Sequence, residues 1–216
     1  MRLAPSPSDS AMLPRVALLL CLVSLAACSS TRVPAGGSAE FDEITVRRIN
    51  VVGPDGSYRV VLAAEDRFPA PVIGGREQER AITPAGLVFY GLDGDEVGAI
   101  AATGDSTQHN AMLVFDYANV DGPRLFVNDR GENGYVSGFA VNDRPPLDAP
   151  VTSAPPVRVG AAVNNGTSYV VLNDAAGKER LVLTVSAEGE ARILFLDAAG
   201  SVTRTISATE AGTTNE

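Results

Sequence analysis

Tryptophan is absent, histidine occurs once as His109, and the only cysteines are Cys21 and Cys28. No window carries a sustained helical period of 3.6 residues together with a cap. Each shortage excludes something. A zinc centre draws three or four ligands from His, Cys and carboxylates, and one histidine without a free thiol does not supply them. No metal or other cofactor is expected. A nucleophilic triad needs a base, yet His109 lies in the polar turn from Asp105 to Asn110, and no G-x-S-x-G elbow occurs. No catalytic residue is therefore assigned. Cations are also few, with 17 Lys and Arg against 26 Asp and Glu and a net charge of −9. Nucleic-acid binding needs a basic face, so no such partner is expected. The same balance opposes electrostatic adhesion to anionic lipid.

What is present begins at the N-terminus. Arg15 precedes an apolar run from Val16 to Ala27 that only Ser24 interrupts. The run is too short to span a bilayer, which takes about 20 residues. A basic start, an apolar middle and a small-residue exit make an export signal. Leu25-Ala26-Ala27-Cys28 resembles the lipobox of bacterial lipoproteins. Small residues there open the bond to a peptidase, and the Cys28 thiol takes the lipid. Cys21 is expected to leave with the signal and Cys28 to be lipidated, so no internal disulfide is expected. Met1 to Ser10 is unlike the start of such a signal, and Met12 is the expected start. Ser29 follows Cys28, and by the same resemblance it implies the outer membrane. Residues 1–27 are thus expected as signal and 28–40 as lipidated cysteine and flexible tether. A single β domain over 41–208 and a disordered tail over 209–216 complete the expected organisation.

From Phe41 onward, strand and turn alternate. Gly166, Gly177, Gly189 and Gly200 are spaced 11, 12 and 11 residues apart, one short strand and one tight turn each time. Strands such as Val170-Val171-Leu172 and Ile193-Leu194-Phe195-Leu196 are apolar at consecutive positions, which fits burial between layers, with Phe195 in the core. The predicted fold is all-β, an antiparallel meander of about 10–12 short strands closing as a barrel or sandwich, with a β-solenoid as the alternative.

Two long segments interrupt the pattern, Glu65 to Pro84 and Asp143 to Pro156. The first carries Phe68, Val72 and Ile73 among charges. They form a candidate partner-binding loop, unless the segment folds back as a lid over one end of the core. Asp93, Asp95 and Glu96 are the densest acidic cluster, without the spacing of a calcium loop.

The segments Arg48-Ile49-Asn50-Val51-Val52, Asp55-Gly56, Arg59-Val60-Val61-Leu62, Asp66-Arg67-Phe68-Pro69, Pro84-Ala85-Gly86-Leu87, Phe89-Tyr90 and Gly94-Asp95-Glu96-Val97-Gly98 are similar to a family of uncharacterised bacterial β-repeat proteins. The resemblance runs from Ile44 to Ile206. It implies a shared β fold and supplies no catalytic residue.

The expectation is a lipid-anchored, non-catalytic envelope domain with a binding or scaffolding role, attached to the membrane through its lipid and meeting an envelope protein partner. A carboxylate-dependent hydrolase would require two acidic side chains converging in a cleft. A structural or adhesive solenoid would require stacked parallel strands.

Overall fold

Five tight turns share one construction: Gly53–Ser57, Gly91–Asp95, Asp174–Lys178, Ser186–Glu190 and Asp197–Ser201. In each, the N–H of a glycine at the fourth position donates to the carbonyl of the first residue. The N–H of the first residue donates to the carbonyl of the fifth. The five glycines have φ between 78° and 90°, the left-handed conformation that closes a type I turn with a bulged glycine. Where Asp leads the turn, its carboxylate accepts from backbone N–H groups two and four residues on. Asp197 does so from Ala199 and Ser201 at 2.8 and 2.9 Å. Asn165-Gly166 is a two-residue turn with φ of 46° and 86°, as a primed hairpin requires.

In the computed structural model the described residues are 37–80, 82–150 and 155–208. Leu25, Ala26, Ala27 and Cys28, with the rest of the expected signal and the expected tail over 209–216, lie outside them. The sheet belongs to a unit that starts at Val46, five residues later than the expected boundary.

The turns connect β1 (Arg48–Val52), β2 (Tyr58–Ala63), β3 (Val72–Ile73), β4 (Arg76–Glu77), β5 (Ala85–Tyr90), β6 (Glu96–Gly104) and β7 (His109–Tyr117). There follow β8 (Val120–Asp129), β9 (Tyr135–Asn142), β10 (Val157–Asn164), β11 (Thr167–Asn173), β12 (Glu179–Val185), β13 (Ala191–Leu196) and β14 (Val202–Ser207). All but β3 and β4 join one 12-stranded sheet in the order β1-β2-β5-β6-β7-β8-β9-β10-β11-β12-β13-β14. Every pairing in it is antiparallel, so the meander is as expected and the parallel stacking of a solenoid is not formed. The order is open, with β1 and β14 as its edges. The 12 strands do not close into a barrel.

Registers fix two ladders of directly paired residues, one on each face. The first passes from Asn50 through Val61, Val88, Ala99, Val114, Arg124, Ala140 and Val171 to Thr205. Val61 and Val88 on it are fully buried. The segment from Glu65 to Pro84, with the β3–β4 hairpin, covers this face over the N-terminal strands. Phe68 and Val72 pack on the core formed by Val61, Val88, Tyr90, Ala99 and Val114. The second ladder starts at Ile49 and passes through Leu62, Ile100, Leu125, Phe139 and Leu183 to Ile206. All 12 of its members are apolar. Leu125 on it is 58% exposed. Phe195 is in β13 as expected, but on this second face, and is 37% exposed. Its expected place in the core is corrected, because the alternation of a strand puts it on the face opposite to that of Leu194.

Candidate functional site

Two features could carry function, an acidic cavity under the lid and the open apolar face.

The cavity follows from the way the lid is pinned. The N–H groups of Gly74 and Gly75, at the tip of the β3–β4 hairpin, donate to the Asp95 carboxylate at 2.6 and 2.7 Å. Further along, Arg80 points inward. It pairs with Glu96 at 2.6 Å, donates to the Pro69 carbonyl, and its guanidinium lies 4.9 Å from the centroid of the Phe68 ring. The Glu96 side chain is 8% exposed. Burial pushes its carboxyl up, and the Arg80 charge opposes the shift without cancelling it. The acidic cluster read from sequence is therefore divided. Asp93 stays on the exposed turn, Asp95 clamps the lid, and Glu96 enters the cavity.

Sequence reasoning missed the rest of this cavity. A β-bulge between β7 and β8 brings Asp116 directly opposite Asp121, and bulges re-aim side chains in this way. Two like charges so placed disfavour each other. Burial first, then Asp121 and Glu96, push the Asp116 carboxyl up to about 7. Its Oδ1 is buried without a hydrogen-bond partner. These carboxylates, Glu79, Arg80 and Tyr117 line a space of about 280 Å3 whose remaining walls are apolar. No local motif announced it, because Arg80, Glu96, Asp116 and Asp121 meet only through the lid and the β7–β8 pairing.

The other sequence-derived candidates fall elsewhere. Phe68 and Val72 turn inward onto the core, and Ile73 lines the acidic cavity. This is the lid arrangement, which uses these side chains inside the fold instead of presenting them to a partner. His109 is exposed at the start of β7, paired in register with Asp129. Among the described residues, no group of three or more His, Cys, Asp and Glu side chains is placed to hold a metal ion.

The open face carries the second feature. The apolar ladder and the rows two residues to either side contain no acidic side chain within the strands. Arg204 is their one charged residue, its guanidinium 5.9 Å from the Phe195 ring centroid. Over β9 to β14 this face forms an open groove of about 820 Å3, lined by Val163, Val170, Leu183, Ile193 and Ile206. An antiparallel sheet with one face in water normally puts polar residues on that face, and here the face without a lid is the one whose ladder is apolar at every position. No family model matches the chain, and no curated protein matches it.

Proposed function

We propose that the chain is a lipid-anchored β domain of the bacterial cell envelope, attached at Cys28 and placed in the outer membrane, that acts by binding or scaffolding and not by catalysis. The observation that carries this reading is the uncovered apolar ladder. Monomeric soluble proteins rarely expose continuous apolar patches beyond a few hundred Å2, and larger ones mark interaction sites. The anchor rests on Leu25-Ala26-Ala27-Cys28 after a short apolar run. Two measurements test the two halves. Cys28→Ala is expected to abolish metabolic palmitate labelling and leave an unprocessed chain, and persistent labelling would refute the anchor. A photo-crosslinking residue at Ile100 or Leu183 of the full chain is expected to give a discrete adduct in cells. The same residue at Leu92, on an exposed turn, is expected to give none. Equal silence at all three positions would refute the binding face.

A second reading, a carboxylate-dependent envelope hydrolase, is favoured by one observation. Asp116 and Asp121 face each other in a cavity where burial raises the Asp116 carboxyl to about 7, in the direction a general acid requires. Turnover of a glycan, peptidoglycan or ester substrate that Asp116→Asn abolishes would establish it. Absence of turnover across that panel is the outcome expected from the binding reading.

A further inference from the structure

A sheet face that is apolar along its whole ladder has the pattern of a surface packed against another layer, and the lid of this fold lies on the opposite face. We propose that the open face joins two copies of the chain, face to face, into a symmetric dimer. This rests on the reading of that face as a binding surface and names its occupant.

Area is the first argument. About a dozen large apolar side chains stand exposed on the face, among them Val51, Leu62, Ile100, Phe115, Leu125 and Phe139. Together they offer on the order of 1,000 Å2, which meets the ~800 Å2 that each partner contributes to a stable interface. Facing sheets pack about 10 Å apart, with leucine- and phenylalanine-sized side chains filling the gap.

Charge is the second argument. With 26 acidic against 17 basic residues, two copies repel over most of their surface. The apolar ladder and its flanking rows carry no carboxylate, so here two copies approach without like-charge repulsion, and the acidic exterior sets the register against sliding. An amphiphile is a poorer fit. The ladder and its flanking rows would offer its polar head only Ser137, Ser168 and Arg204, and the groove is too open to enclose a chain.

Symmetry then makes a local statement. An interface formed by the same face of both copies has its two-fold axis in the interface plane, through the middle of the patch. The middle of 12 strands falls between β8 and β9, where Leu125 pairs with Phe139. Leu125 of one copy therefore meets the same region of the other.

The test uses the full chain in isolated membranes. Leu125→Cys treated with a short bismaleimide, which spans the ~10 Å between packed sheets, is expected to give a band of twice the chain's mass. Leu92→Cys and the unsubstituted chain, which control for Cys28, are expected to stay single. Light scattering of the purified full chain is expected to give the dimer mass, and Leu125→Glu combined with Phe139→Glu to halve it. If that variant does not fold, the Leu125→Cys result decides. A chain that stays single at Leu125→Cys and scatters as a monomer overturns the dimer. If that monomer carries a bound amphiphile or crosslinks to another protein, the binding face stands without the dimer. If it does neither, both are refuted.

Discussion

Strands β2 to β7 and strands β10 to β14 have the same alternation and the same turn construction, but different surroundings. Nearly all buried apolar side chains lie in the first group, where Val61, Val88, Ala99 and Val114 sit beneath the lid. Along the same ladder in the second group, burial declines from Val171, which is buried, to Val182 and Leu194, which are half-buried, and to Thr205, which is exposed. Regular hairpins can therefore continue well past the packed core, because ladder hydrogen bonds and turn contacts are made locally. Asp174 and Asp197 each hold two backbone N–H groups in the C-terminal turns. The contrast assigns folding stability mainly to the lidded end and leaves the other end to turn chemistry and to whatever covers the open face.

The largest effect that would sharpen this contrast is expected at the lid. Arg80→Ala leaves Glu96 buried without its partner and should cost about 3 kcal/mol. Arg80→Met combined with Glu96→Leu should restore most of it. Urea unfolding of the single and double variants measures both, and a single-variant loss below about 1 kcal/mol, the scale of an exposed ion pair, would remove the lid from the stability argument.

Core truncation compares the two ends directly. Val88→Ala, at a fully buried position, should cost about 2 kcal/mol, and Val182→Ala on the same ladder less than about 1 kcal/mol. Equal losses would mean that the C-terminal strands are as well packed as the N-terminal ones.

Acid–base behaviour at the lidded end has a definite sign. The Asp116 carboxyl is raised from 3.8 to about 7 by burial and by Asp121 and Glu96, so the folded protein prefers it protonated. Its contribution to stability is complete below pH 3.8 and is lost as pH rises through about 7. Asp116→Asn should flatten that dependence. At about pH 8 it should exceed the unsubstituted protein by about 1–2 kcal/mol, after allowing for solvent screening of a partly exposed group. Denaturant midpoints at about pH 5 and about pH 8, on either side of the raised value, test this. A variant less stable than the unsubstituted protein under the alkaline condition would contradict it.

The smallest effect belongs to the turns. Gly200 has φ of 85° with open space around its Cα, so Gly200→Ala acts through backbone strain alone and should cost about 1 kcal/mol. Thermal unfolding would detect it, and a neutral result would show that this last hairpin contributes little to the cooperative unit.

Turns and strands were legible in the sequence because their causes are local. A glycine at the fourth position of a turn, with Asp or Ser at the first in the C-terminal ones, acts within five residues, and a period of two tells which side chains share a face. That period does not tell which face is covered. Leu194 and Phe195 are adjacent and both apolar, and only the tertiary structure put Leu194 on the half-buried side and Phe195 on the open one. The lid and the acidic cavity were illegible for the same reason. Arg80 and Glu96 are 16 residues apart, and Asp116 faces Asp121 only because a bulge shifts the β7–β8 register. Burial and charge pairing depend on which distant segments meet, and that is decided by the folded chain as a whole.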